Sequence, residues 1–230
     1  MSTSPPVNVT EQLTARGRAI EEGSFAIVDA EARGHHWAEA PWQVVRRIVH
    51  ATADFDFVTA TAMSDDAVTA GIAAIRAGAP IVCDVEMIAV GLSKPRLEHF
   101  GCRTHVHISD PDVIEQARAE NSTRAVMAMR KARTQLHGGI VAVGNAPTAL
   151  LEVCRMVREE GILPALVVGV PVGFVSAAES KEEVLTLPVP HIVCRGRKGG
   201  SSIAVAALHA LLALAEAQEN TETRKAVESA

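Results

Sequence analysis

From Gly78 onward the chain alternates short apolar runs with stretches long enough to cross a sheet, and few architectures accommodate that. The runs are PIVCDV, RTHVHIS, GGIVAVG, PALVVGV and PHIVCRG, separated by EMIAVGLSKPRLEHF, DPDVIEQARAENSTRAVMAMRKARTQL, APTALLEVCRMVREEG and AAESKEEVL. Parallel strands need crossover connections, usually helical, so this alternation predicts an α/β fold with a mostly parallel five-stranded sheet covered by helices on both faces. Before Gly78 the texture is helical: EQLTARGRAIEEGS, then SFAIVDAEAR, then a helix from about Pro41 through APWQVVRRIVHATADF. Ser64, Asp65 and Asp66 read as the start of another helix ending near Gly78.

A chain of 230 residues that is 48% hydrophobic can bury one sizeable core. The expected organisation is a flexible N-terminus over residues 1–8, a single domain over 9–216, and a flexible charged tail over 217–230. A net charge of -5, with 3% aromatic residues and no Tyr, argues against a nucleic-acid surface of basic patches and stacking rings. Cys83, Cys102, Cys154 and Cys194 form no CxxC pair and read as buried, reduced thiols. No basic segment followed by an apolar core opens the chain, and no apolar run approaches the roughly 20 residues of a membrane span, so a cytoplasmic protein without membrane contact is expected.

In open α/β sheets ligands bind beyond the carboxyl ends of the strands. The residues leaving each run are Asp84 to Met87, Ser109, Gly144 to Pro147, Val170 to Phe174, and Arg195 to Ser202. The segment CRGRKGGSS carries anion-binding chemistry: Arg195, Arg197 and Lys198 supply charge, while Gly199, Gly200 and Ser201 present backbone N–H groups at a helix start. It is not a Walker loop, because two glycines separate Lys198 from Ser201. A solvated basic turn capped by Ser201 would read the same way. In VGNAPTALLEV, Gly144 and Asn145 suit either a ligand or an ordinary strand-to-helix turn. Lys181 can meet a carboxylate or face water.

His50 stands near the end of its helix, with Arg47 one turn before and Asp54 one turn after, so all three are expected on one face. Imidazole exchanges protons near neutral pH, although a histidine at a helix end also serves structure alone. Asp84 and Glu86 form a carboxylate pair best read as a solvated loop. His105 and His107 share a strand face but have no third ligand nearby, so no metal site is assigned. His35, His36, His99, His137, His191 and His209 show no ligand spacing.

The ordered set SFA, RRIVHATADFDF, GAPIVCDVEM, GNAPTALLEV, PVGFVSAAESK and RGRKGGSS resembles the precorrin-8X and cobalt-precorrin-8 methylmutase family, from about Ser24 to the helix after Ser202. ADFDF after the histidine is closer to the cobalt-dependent branch. The resemblance implies an isomerase of corrin biosynthesis that moves a methyl group from C11 to C12 of (cobalt-)precorrin-8, giving (cobalt-)cobyrinic or hydrogenobyrinic acid. It implies no cofactor, any cobalt belonging to the substrate. It assigns His50 as the general acid that protonates the macrocycle. Ser24, Arg47, Arg124, Asn145, Ser180, Lys181 and Ser201 become substrate contacts by matched motif, joined by Gly144, Arg195, Gly199 and Gly200 in the glycine-containing exits. It further implies a flavodoxin-like fold and a homodimer. Two alternatives stay open: a non-catalytic corrinoid carrier, which would not need His50, and a flavodoxin-like phosphate- or nucleotide-handling enzyme, which would bind its anion at RGRKGGSS.

Overall fold

The computed structural model describes residues 14–228. All five runs form strands: β2 (Ile81–Cys83), β3 (Thr104–His105), β4 (Ile140–Val143), β5 (Leu166–Gly169) and β6 (His191–Cys194). A sixth strand, β1 (Thr61–Met63), joins them, and the order across the sheet is β1-β6-β5-β4-β2-β3. The five predicted strands pair in parallel, whereas β1 runs antiparallel to β6, with Thr61 opposite Cys194 and Met63 opposite Ile192. The expectation of a five-stranded sheet is therefore corrected to a six-stranded mixed one. The extra strand has no apolar run to announce it. Three residues of Thr, Ala and Met become extended because the edge of β6 offers them partners. Counted among themselves, the parallel strands lie in the order 2-1-3-4-5, one of the common doubly wound arrangements.

Successive strand residues point to opposite faces, and the core divides accordingly. Ile81, Cys83, Ile140, Ala142, Leu166, Val168, Ile192 and Cys194 face α1 (Ala15–Glu31), α2 (Glu39–Thr52), α4 (Ala67–Arg76), α5 (Glu86–Gly91), α6 (Lys94–Phe100) and α12 (Ser201–Glu228). Val82, Val141, Val143, Val167 and Val193 face α7 (Pro111–Ala119), α8 (Arg124–Lys131), α9 (Arg133–Leu136), α10 (Pro147–Glu160) and α11 (Ala177–Val184). A short helix, α3 (Phe57–Ala60), leads into β1. The four cysteines are buried and free, and burial pushes the thiols of Cys83 and Cys154 up to about 12.

Three terminal expectations need restating. Residues 1–8 lie outside the described residues. Among the described residues, the two N-terminal stretches expected as separate helices form one, α1 (Ala15–Glu31), which runs through Gly23, while residues 11–13 of the first lie outside the described residues. The expected tail from 217 is helical to Glu228, because Glu222 pairs with Arg76 at 2.6 Å and Glu219 meets His99 at 2.7 Å. That length makes α12 long and apolar enough to cross a membrane, contrary to the sequence expectation. Its apolar side is nevertheless spent within the fold: 56% of its most apolar stretch is buried, against α2, α4 and α5.

Candidate active site

Helix α2 buries Val44, Val45, Ile48 and Val49 in the core, packing chiefly against α12, which turns Arg47 and His50 outward. His50 is exposed, and its ring lies 4.9 Å from that of Phe25 on α1. The Arg47 guanidinium sits 5.7 Å from the same ring and pairs with Glu21. Arg47 also forms the ridge between two open grooves. One, of about 460 Å³, runs along Phe25, Gln43, Arg46 and Leu214; the other, of about 390 Å³, is lined by Ala51, Met87, Gly91, Ser202, Val205 and His209.

Asp54 does not share the face of His50 as the spacing suggests. Helix α2 ends at Thr52, and Ala53 adopts a left-handed conformation at φ 52, which swings Asp54 out of helical register. There it accepts a hydrogen bond from Lys198, and this partner holds its carboxyl below the usual range.

The β6 exit is held from several sides. Lys181 is fully buried on α11, and its ammonium donates to the carbonyls of Gly196 at 2.9 Å and Lys198 at 2.7 Å. Burial pulls its pKa down to about 8. Lys181 thus braces the RGRKGGSS loop from beneath, with its ammonium turned to the protein's own backbone. Ser180, equally buried, donates its hydroxyl to the carbonyl of Ala177 at 3.0 Å. Gly199 has no room for a side chain as the loop stands, since a Cβ would lie 2.3 Å from the Val170 carbonyl oxygen. Gly200 has φ 135 and donates its N–H to that same carbonyl at 2.8 Å. Ser201, almost wholly buried, starts α12 so close to β4 that a Cβ on Gly144 would sit 2.7 Å from its Cα. Close packing, rather than ligand approach, is what Gly144 and Gly199 visibly provide.

Asp84 is the residue that sequence reasoning undervalued. Its carboxylate is buried, not solvated, and accepts the N–H groups of Gly144 at 3.1 Å, Asn145 at 2.8 Å and Ala146 at 2.7 Å. Burial raises its pKa, while these bonds pull it back. The backbone donors at the start of α10 are therefore satisfied by the protein's own carboxylate, leaving the exposed side chain of Asn145 as that loop's outward group. Glu86 is exposed.

The remaining residues lie at the margins. Ser24 is partly exposed beside Phe25, with its hydroxyl bonded to Ile20. Arg195 is exposed and 3.8 Å from Glu182, and Arg197 lies over the ring of Phe174 at 5.6 Å. Arg124 lines a separate groove with Arg118, Asn121 and Ser122, and the residue before it, Thr123, meets Thr148 at the α10 start at 3.2 Å. His209 went unassigned from sequence, yet it lines the groove below Arg47 and bonds the Gly91 carbonyl at 2.9 Å. The one polar side chain inside IAVAALHALLALA was the available signal. His105 and His107 have ring centroids 6.5 Å apart, and His107 bonds Asp110. Among the described residues no three metal-ligating side chains come together.

Comparison with known proteins gives this geometry a lineage. The model of the family described as Precorrin-8X methylmutase matches residues 19–214. A cobalt-precorrin-8 methylmutase of Leptospira interrogans is 54% identical over 211 residues, spanning 88% of this chain and 96% of that protein. One from Priestia megaterium is 48% identical over 204 residues, spanning 89% and 91%. A precorrin-8X methylmutase of Sinorhizobium sp is 40% identical over 197 residues, spanning 85% and 93%. The crystal structure of precorrin-8x methyl mutase from Thermus thermophilus has a TM-score of 0.82 at 50% identity, spanning 87% of this chain and 97% of that one. Family model, sequences and structure agree over most of the length, and the chain belongs to the precorrin-8X methylmutase family.

Proposed function

We propose that this protein is an isomerase of corrin biosynthesis, moving a methyl group from C11 to C12 of (cobalt-)precorrin-8 to give (cobalt-)cobyrinic or hydrogenobyrinic acid, with His50 as proton donor. One observation carries the assignment of His50: it is the exposed imidazole at the end of α2, one turn from the arginine that lines both grooves. Protonating the macrocycle at the reacting edge raises its electron demand and favours the methyl shift, which is general acid catalysis. The rest of the acceleration comes from binding the transition-state geometry more tightly than the substrate's.

The strand-exit end suits a flat, apolar ring bearing carboxylates. Met87 and Val90 after β2, and Val172, Phe174 and Val175 after β5, leave apolar surface exposed there. Arg47, Arg195 and Arg197, with the side chain of Asn145 and the start of α12 at Ser201, offer donors for the carboxylates. Arg124 reaches the same end through Thr123 and Thr148 and is assigned a more peripheral carboxylate. No cofactor is needed for the rearrangement, and cobalt, when present, arrives with the substrate. The Leptospira interrogans and Priestia megaterium sequences, at 54% and 48% identity, are named for the cobalt form, which together with ADFDF supports that substrate. The parallel strand order supports a flavodoxin-like reading of the fold.

We read the working protein as a cytoplasmic homodimer. The grooves on one copy are open, and Ile20 and Ile27 leave apolar surface exposed on α1, the helix whose Phe25 lines one of them, which supports completion by a second copy. The test is to incubate purified protein with cobalt-precorrin-8 and with metal-free precorrin-8 and to follow the visible spectrum beside His50→Ala. The expected result is rearrangement by wild type and pigment binding without rearrangement by the variant. A wild-type protein that binds pigment and leaves it unchanged would be a carrier, and the isomerase reading would fall.

A further inference from the structure

Lys198 sits in the loop between β6 and α12, where its charge reads as an anion ligand. Its ammonium is already engaged: it donates to Asp54 Oδ2 at 2.5 Å and to Asp56 Oδ2 at 2.7 Å. Both carboxylates belong to the turn leaving α2 just after His50, and the second oxygen of Asp54 accepts the Asp56 N–H at 3.0 Å, so the turn is itself organised. The carbonyl of Lys198 faces the opposite way and accepts from buried Lys181. Backbone bonds from Gly173 to Arg197 and from Gly200 to Val170 tie the same loop to the β5 exit. The loop is therefore fixed to α11 and β5 inside and to the end of α2 outside.

We propose that Lys198, gripped by Asp54 and Asp56, is a positioning residue that sets the distance between His50 and the 195–200 loop, rather than a cation offered to the substrate. The proposal rests on His50 being the proton donor. Lys198 is about half exposed and Asp56 largely so, which makes the bridge worth little to global stability. Geometry is another matter, because small misplacements of a reacting group from its partner carry large rate penalties. Mutual bonding lowers the pKa of Asp54 and raises that of Lys198, so each favours the charged form of the other.

Steady-state rearrangement of cobalt-precorrin-8 by the full chain distinguishes the two roles. The variants are Lys198→Met, Asp54→Asn with Asp56→Asn, all three together, Lys198→Arg, and His50→Ala. A positioning bridge predicts that Lys198→Met and the paired Asn variant each lower kcat by about tenfold or more with KM and Tm nearly unchanged. The triple variant should be no worse than either, and Lys198→Arg should recover most of the rate. If the paired Asn variant keeps or raises the rate while Lys198→Met raises KM, Lys198 is a substrate cation and the proposal is overturned. Multiplying losses in the triple variant overturn it as well. Normal turnover by His50→Ala would remove the proton donor and the proposal together, whereas an inactive His50→Ala beside multiplying bridge losses removes the bridge alone.

Discussion

Asp84 and Lys181 are both buried charges whose partners are backbone groups, and each makes a prediction of its own. Removing the Asp84 carboxylate strands three N–H groups at the start of α10. Asp84→Ala should cost about 2 kcal/mol in urea unfolding, between the value of a lost helix cap and that of charged hydrogen bonds. A loss below about 0.5 kcal/mol would mean that water replaces the carboxylate without penalty. For Lys181 the sign follows from its depressed pKa. The folded protein gives up this proton near pH 8, whereas the unfolded chain keeps it until about 10.5. Between those values the unfolded state holds more protons, so raising the pH favours folding; the contribution is complete above 10.5 and is lost as pH falls through about 8. Subtracting the pH profile of Lys181→Met from that of wild type should leave a positive slope across that window. Equal slopes would remove Lys181 as the titrating group. Neither role was legible beforehand, because Asp84 follows an apolar run and Lys181 sits among Glu179, Glu182 and Glu183, where a solvated side chain is the ordinary outcome.

At the scale of elements, the end of α2 decides how the site is built. Ala53 closes that helix at φ 52, a conformation that an alanine adopts at some cost and that glycine adopts freely. Ala53→Gly should raise stability by roughly 0.5–1 kcal/mol in thermal or urea unfolding while keeping the turn. Destabilisation would mean that the extra unfolded-state freedom of glycine outweighs the relieved strain. At the β6 exit the opposite change is costly. Gly199→Ala forces a methyl group onto the carbonyls of Val170 and Pro171, so the loop must move; a destabilisation of about 1–3 kcal/mol and loss of isomerisation should appear together. The boundary of α2 also explains why the face shared by Arg47, His50 and Asp54 was only two-thirds right. Helical spacing holds until the helix stops, and nothing local in ATADF declares that Ala53 turns left-handed.

For the whole molecule, the expected assembly is a dimer of twice the 24.3 kDa chain. Analytical ultracentrifugation across a dilution series should show that mass, and a monomer with undiminished specific activity at the lowest concentrations would exclude a shared pocket. The amino-acid order by itself determined the five parallel strands, the helices between them, the two-sided core and the family, because apolar periodicity and ordered motifs are local properties that survive being read along a line. It also picked out His50 and the glycine-rich exits as the region of interest. Only the tertiary structure decided that β1 adds a sixth, antiparallel strand, that α12 continues to Glu228 along Arg76 and His99, and that Asp84, Lys181 and Lys198 spend their charges within the protein. The physical reason is common to these cases. A charge or a short polar strand takes its role from the partner that folding brings to it, and Asp54 and Lys198 meet across 144 positions of sequence.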